Sequence, residues 1–446
     1  MFKSDTERRL YMITPNTWVS VSDPEELLAL SKKLKLTPKT FTEPKPLIYN
    51  GFFVDSPASC KLVGYKDDSF VVIDVNGQLH TIHIDCLLDM QSSTRSKHTP
   101  TENLAPANSA SSVYTVIDIE TTGLSWKTSH LYLLGAVFYE NEIWIHRQWF
   151  CQKPGEEKEV LLAFSELLST RKLLFHYNGT TFDVPYLMHK YTFYQLPAPW
   201  EGTRQLDLYQ LFSPLKKILH LKHMRQKDLE NATGLFREDL YSGGELIEIY
   251  KKYLLSGDEH LLEILCLHNK EDVEGMLKLL PLFSIRTLWT GNCHEFITCT
   301  HTPEGNLLLS VQPEHPFPVS FEKELHHVVL RVTPQKLLLE IRPEAGCKKF
   351  FYPNYKDYYY LPLEDEAIHK SVGAYVDKDH REKATPDNCC KKVNGCFYPQ
   401  YEELFTPAFR DERKEKNSWF LLPEDFDKDQ EQLLKYLNHL LSHVLQ

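Results

Sequence analysis

Asp118 and Glu120 lie two residues apart in 113–121, a run of mostly β-branched and apolar residues. Strand side chains alternate faces, so both carboxylates point to one side, about 7 Å apart, and Ile117 and Ile119 to the other. Two carboxylates at the end of an apolar strand are costly unless a cation lies between them, and hard oxygen donors suit Mg²⁺ or Mn²⁺. On its own the pair reads equally well as a solvated strand end. Asp183 sits in His176-Tyr177-Asn178-Gly179-Thr180-Thr181-Phe182-Asp183-Val184-Pro185-Tyr186-Leu187, which follows an apolar strand and opens a helix. A carboxylate there is also ordinary N-terminal capping. On the helix that contains His260, Leu261, Ile264, Leu265, Met276 and Leu279 form one apolar stripe at 100° per residue. His268 and Asp272 fall inside that stripe, one turn apart. Such a pair, aimed into a core, needs partners. Taken alone, a satisfied structural His is its commoner meaning. Asp207 in Gln205-Leu206-Asp207-Leu208 is a supporting or alternative ligand candidate, or simply an acid at a strand edge.

These residues need a framework to bring them together. Residues 113–121, 131–139 and 143–150 read as three strands, and Glu140-Asn141-Glu142 is short enough for a hairpin between the last two. Residues 156–169 form a helix with Val160, Leu161, Phe164, Leu167 and Leu168 on one side. A strand follows over 172–177 and a fifth over 205–211. Helices are predicted over 184–194, 213–233, 243–255 and 259–280. This α/β order is that of a ribonuclease H-like mixed sheet with flanking helices.

Around it the chain divides into further parts. Residues 1–90 form an N-terminal module, with a capped helix start at Asp23-Pro24. Its barrel-like segment, 48–90, holds short strands over 61–65, 69–75 and 78–84, with a hairpin signal at Asn76-Gly77. Residues 91–112, rich in Ser, Thr, Asn, Pro and Ala, read as a flexible linker. The α/β domain occupies 113–284. A C-terminal β-rich module occupies 285–446, with strands over 296–300, 307–311, 328–332 and 337–341, and ends in an amphipathic helix.

The chain has 446 residues, room for two to four domains, and a net charge of −11. That balance excludes a general nucleic-acid coat, so any contact with nucleic acid must come from local basic patches. Lys216, Lys217, His220, Lys222, His223, Arg225 and Lys227, on a helical stretch, read equally as one such patch or as a solvated helix face, with ion pairing to acids elsewhere also open. Asn354-Tyr355-Lys356-Asp357-Tyr358-Tyr359-Tyr360, with Lys378, His380, Arg381, Lys383, Lys391 and Lys392, is another. Aromatics beside cations can stack bases, though alternating Tyr is more often packing. No run approaches 18 apolar residues, so no membrane partner is expected. The first residues lack the apolar segment of a secretory signal. A cytoplasmic location is expected, with the ten Cys as free thiols. Cys293, His294, Cys299 and His301, and Cys389, Cys390 and Cys396, lack the spacing of structural zinc sites.

The order of the three chemical elements carries the functional reading. Asp118-Ile119-Glu120-Thr121-Thr122-Gly123-Leu124, Tyr177-Asn178-Gly179 with Phe182-Asp183-Val184-Pro185, and His268-Asn269-Lys270-Glu271-Asp272-Val273 occur in that sequence. Together they resemble the DEDD 3′–5′ exonuclease superfamily, and within it the YprB-type ribonuclease H-like family. Residues 177–187 are also similar to the proofreading exonuclease segment of family B polymerases. The third motif departs from the well-studied branches, which carry Tyr-x-x-x-Asp or His-x-x-x-x-Asp there.

The resemblance implies metal-dependent hydrolysis of phosphodiester bonds in DNA or RNA, at a 3′ end or on a single strand. It implies two Mg²⁺ or Mn²⁺ held by Asp118, Glu120, Asp183 and Asp272, with His268 as general base. Thr121, Asn178 and Phe182 would then meet the substrate. A nucleic-acid-binding protein whose ribonuclease H-like domain is weakly active or inactive is the competing expectation.

Overall fold

The computed structural model describes residues 114–446 apart from 141–142, 154, 172, 200–202, 292 and 294, together with seven strand segments between residues 9 and 89. Those segments are β1 (Arg9–Thr14), β2 (Thr17–Val21), β3 (Leu47–Phe52), β4 (Cys60–Asp67), β5 (Phe70–Val75), β6 (Gln78–His83) and β7 (Leu87–Asp89). The expected helix start at Asp23-Pro24, the Asn76-Gly77 turn and the 91–112 linker lie outside the described residues. The chain divides into two compact units, Met1–Phe283 and Ser284–Gln446.

The first unit is built on a mixed sheet of five central strands. These are β8 (Tyr114–Thr121), β9 (Leu131–Glu140), β10 (Ile143–Phe150), β11 (Leu173–His176) and β12 (Arg204–Asp207). Their order is β10-β9-β8-β11-β12. The β10-β9-β8 part is an antiparallel meander, and β11 and β12 run parallel to β8. Strand β3 adds to one edge against β10, and β7 to the other against β12. Strands β4, β5 and β6 form a separate antiparallel sheet.

Helices cover both faces of the five-stranded sheet. On one face Ile117, Ile119 and Leu134 pack against α1 (Glu157–Leu168), through Val160, Leu161 and Phe164, and against α2 (Asp183–Phe193), through Val184 and Leu187. On the other, Tyr132, Leu133 and Phe150 pack against α6 (Gly243–Ser256) and α7 (Glu259–Leu279). Strand β8 thus turns Ile117 and Ile119 into one core while Asp118 and Glu120 look the opposite way, as strand alternation requires. Between β12 and α6 lie three short helices, α3 (Leu208–Phe212), α4 (Leu215–Ile218) and α5 (Gln226–Ala232).

Local sequence sets the ends of the two long helices. Ser242 and Glu245 form a capping box at the start of α6. Gly257 closes that helix in the left-handed region at φ +67°, and Asp258 caps α7 by accepting from the His260 N–H at 2.9 Å. Two expected boundaries differ. The strand at 205–211 stops at Asp207, whose carboxylate caps α3 through the Tyr209 N–H. The helix expected over 213–233 breaks into α4 and α5, because His220 takes a left-handed φ of 52°. Lys216 and Lys217 are exposed on α4. His220, Lys222, His223 and Arg225 are exposed on the connector, so the basic patch is not one helix face.

The second unit is β-rich. Strands β13 (Ile297–His301), β14 (Leu307–Val311), β15 (Phe321–Leu325), β16 (Val328–Thr333) and β17 (Lys336–Ile341) form an antiparallel sheet ordered β13-β14-β17-β16-β15. Strand β18 (Glu344–Phe351) pairs with the long β22 (Cys390–Gln400), which continues to β23 (Ser418–Phe420). A small sheet holds β19 (Tyr358–Leu361), β20 (Glu366–His369) and β21 (Glu382–Lys383). The last helix, α8 (Gln430–Val444), buries Leu433, Tyr436, Leu437, Leu440 and Leu441. Its Tyr436 packs edge-on against Phe420 and Phe426. Among the described residues no helix is long and apolar enough to cross a membrane.

Candidate active site

Strand β8 ends with Asp118 and Glu120 on the face toward α7, and α7 answers with His268, Asn269 and Asp272. Asp183, the first residue of α2, completes the group from behind the β11 turn. The backbone N–H groups of Asp183 and Ile119 favour the charged form of its carboxylate. Three segments far apart in the chain therefore place four carboxylates and one imidazole in one centre. The closest set is Glu120, His268 and Asp272, whose ligand atoms lie within 4.8 Å of one another. Among the described residues it is the one group of three or more His, Cys, Asp or Glu so arranged.

The electrostatics follow from crowding like charges in a poorly hydrated place. Burial pushes the Asp118 carboxyl well above the usual carboxylate range, and Asp272, Glu120 and Asp183 push it further. Glu120 is raised by burial and then by Asp272 and Asp183. Asp183 is pushed up to about 7, chiefly by burial, against the two backbone donors that favour its charged form. Burial alone would lower the His268 imidazole, but the Asp239 hydrogen bond and the Asp272 charge outweigh it and raise the value. Four oxygen donors that repel one another, beside a ring nitrogen, fit a divalent cation. Asp118, Glu120, Asp183 and Asp272 are the residues able to hold one or two such ions.

Each member is held by a partner. Asn269 Nδ2 donates to Asp118 Oδ2 at 2.9 Å, and its Oδ1 accepts from Gln148 Nε2 at 2.9 Å. Gln148 also donates to the Cys266 carbonyl at 2.8 Å, tying β10 to α7. Asn269 enters over Gly135, the residue paired across from Asp118. A Cβ at Gly135 would lie 2.0 Å from Asn269 Oδ1, so only glycine leaves the room. Tyr132 OH lies 3.5 Å from Glu120 Oε2. Arg237 Nη1 donates to Asp272 Oδ1 at 2.5 Å, and the same guanidinium grips Glu230 through Nε and Nη2. His268 Nε2 faces Asp272 Oδ2 at 3.1 Å and Glu120 Oε1 at 3.4 Å, while Nδ1 meets Asp239 Oδ2 at 2.7 Å.

Asp207 has a different job from a ligand. It accepts from the N–H groups of Asn178 at 2.8 Å, Thr180 at 3.2 Å and Tyr209 at 3.0 Å, and so fixes the turn that delivers Asp183. In that turn Asn178 stands at φ 59° with an exposed side chain. Gly179 is equally constrained, because a Cβ there would come 2.7 Å from the His176 ring and 3.0 Å from Asp183 Oδ2. Thr121 spends its hydroxyl on the Gly123 carbonyl at 2.9 Å. Phe182 packs against Tyr186 and the α1–α2 core. Of the three positions expected to meet substrate, Asn178 is the one whose side chain is exposed.

The sequence alone gives no role to Arg237, Asp239, Glu230 or Tyr132, and it shows Asn269 only as a member of the third motif. Gly135 inside an apolar strand was the one available signal, since a glycine there marks a close approach. Part of the aromatic and basic C-terminal stretch is engaged with itself. Tyr358 stacks on Tyr352 at 4.5 Å, the Arg381 guanidinium lies 4.6 Å over Tyr359, and Lys392 pairs with Asp365. Cys293, Cys299, Cys389, Cys390 and Cys396 are free.

A model of the RNase H superfamily matches residues 115–283. With the sheet order above, it defines the central part of the chain as a ribonuclease H-like domain. Among solved structures, the family B DNA polymerase from the hyperthermophilic archaeon Pyrobaculum calidifontis is similar at 13% identity, over 74% of this chain and 46% of its own, with a TM-score of 0.34. The chain thus spans under half of that polymerase's length. E. coli Exonuclease I in complex with a dT13 oligonucleotide is similar at 11% identity over 74% of this chain and 73% of its own, with a TM-score of 0.27. No curated protein matches the sequence.

Proposed function

We propose that the chain is a metal-dependent nuclease, a 3′–5′ exonuclease of DEDD type and of YprB-like kind, with residues 113–284 as its catalytic domain. One observation carries the reading: Asp118, Glu120, Asp183 and Asp272 converge from three segments, and burial together with the charge of Asp272 raises the pKa of the other three. No fold gains stability from that arrangement unless a cation joins it. Two Mg²⁺ or Mn²⁺, when bound, would supply charge neutralisation at phosphate and a lower pKa for a water. Asp118, Glu120, Asp183 and Asp272 would hold them. His268 would take the water's proton at Nε2, the ring nitrogen that faces the acids. Asn178 would bind the sugar–phosphate backbone, and exposed Lys216, Lys217 and Lys222 would neutralise phosphates outside the acid centre.

The test is digestion of end-labelled single- and double-stranded DNA and RNA with Mn²⁺, Mg²⁺ or EDTA. Wild type should give a metal-dependent ladder that shortens from the 3′ end, and Asp183→Ala should lose about 100-fold or more of the rate. Cleavage that survives EDTA, or Asp183→Ala, would sink the reading. One observation favours the alternative of a binding protein with a weak or inactive domain: Arg237 already occupies Asp272 Oδ1. A gel shift without cleavage would select it.

A further inference from the structure

The segment between α5 and α6 lies along α7 and turns alternate side chains inward. Arg237 and Asp239 are turned in, while Phe236 and Leu240 are 81% and 89% exposed. The segment is pinned by its backbone as well, because the N–H groups of Glu238 and Asp239 donate to the Glu271 carboxylate at 2.8 and 2.9 Å. Asp239 itself is buried. Its Oδ1 accepts from the Tyr241 N–H at 3.0 Å, and its Oδ2 accepts from Lys227 Nζ at 2.6 Å and faces His268 Nδ1 at 2.7 Å. The carboxylate is thus fixed from two sides before it meets the imidazole.

We propose that Asp239 is the positioning residue for His268, fixing the ring so that Nε2 looks into the acid centre. This rests on the nuclease reading for its catalytic consequence, though the pairing itself does not. A carboxylate only accepts, so the Nδ1 that it faces must carry the proton. Nε2 lies 3.1 Å from Asp272 Oδ2 and 3.4 Å from Glu120 Oε1, where toward charged carboxylates it too carries a proton, and it is the lone-pair nitrogen only in the neutral ring. When Nε2 takes a proton from water, the ring becomes an imidazolium and the hydroxide is left to attack phosphorus. Asp239, still on Nδ1–H, stabilises that cation without itself taking the proton. The spacing His-x-x-x-Asp on α7 sets His268 and Asp272 one turn apart, and Asp239 supplies the orientation that spacing alone does not.

Two readouts test this on the full chain. The first is the proton NMR spectrum of the protein free of metal and nucleic acid. Wild type should show a downfield, exchange-protected His268 Nδ1–H resonance that Asp239→Ala removes. The second is steady-state digestion of a single-stranded end-labelled oligonucleotide. Asp239→Asn, which keeps the shape and checks folding by its thermal midpoint, should lower kcat by about 100-fold and leave KM within about 2-fold. Absence of the resonance in wild type, its persistence in Asp239→Ala, or an unchanged kcat in a folded Asp239→Asn would each overturn the proposal. A resonance with the expected loss, in a wild type that cleaves nothing, supports the pairing and overturns the nuclease reading.

Discussion

Arg237 in the first unit and Lys348 in the second are both cations held under protein, and their partners differ. Lys348 is 1% exposed and sits 4.3 Å over the Trp419 ring, but its acids, Glu344 and Asp411, are 44% and 53% exposed. Arg237 is 8% exposed, and its acids, Glu230 and Asp272, are only 2% and 17% exposed. Around Lys348 charge is folded so that its acids still reach water. Around Arg237 both acids are withdrawn from it, beside three further carboxylates and an imidazole. The first arrangement is compatible with packing for stability. The second costs stability, and such cost is tolerated where a site needs groups poised for chemistry.

The comparison can be broken most readily at the two cations. Arg237→Ala should strand Glu230 and Asp272 as buried charges and lower unfolding free energy by about 3–5 kcal/mol. Lys348→Ala should cost about 1–2 kcal/mol, because its acids can be solvated. Urea titrations of the two variants decide, and equal losses would end the distinction.

A smaller effect should appear with pH in the metal-free protein. Asp183 binds its proton more tightly in the fold than in the open chain, with a folded value of about 7. Stability is therefore full below the unfolded carboxylate range and falls as pH rises toward 7. In EDTA the unfolding free energy should drop between pH 5 and pH 8 by an amount on the order of 2–3 kcal/mol, and the thermal midpoint should fall with it. Mg²⁺ should reverse the drop, and Asp118→Asn should reduce it while abolishing cleavage. A midpoint that rises over this range would contradict the crowding described for the acid centre.

The smallest change is expected at the rim of the second unit. Arg331, 42% exposed, bridges Glu322 and Glu340 at 2.9 and 3.0 Å. Arg331→Met should shift stability by under about 1 kcal/mol, and by less in high salt. A larger loss would mean that surface pairing holds this unit together.

The sequence made legible what depends on short periods. Strand alternation put Asp118 and Glu120 on one face, and the wheel of α7 put His268 and Asp272 inward. The order of strands and helices pointed to the fold. What escaped depends on contacts between distant segments. Arg237 and Asp239 lie in a stretch with no apolar period, and each acts on a residue about thirty positions away. Asp207 looked like an edge acid or a ligand because a turn held by one carboxylate leaves no periodic trace. The break at His220 escaped because neither Gly nor Pro marks it.

Gly135 has a consequence for how the molecule assembles. The space beside Asp118 is a keyway, and the Asn269 side chain is the key that enters it. Advancing α7 by one residue turns it by about 100°, which would bring Lys270 or His268 to the slot. Neither a long ammonium stem nor an imidazole ring can occupy a gap sized for a carboxamide opposite glycine. The sheet therefore gauges the phase of the helix, and a docking error of one residue is rejected before Asp272 can reach the centre.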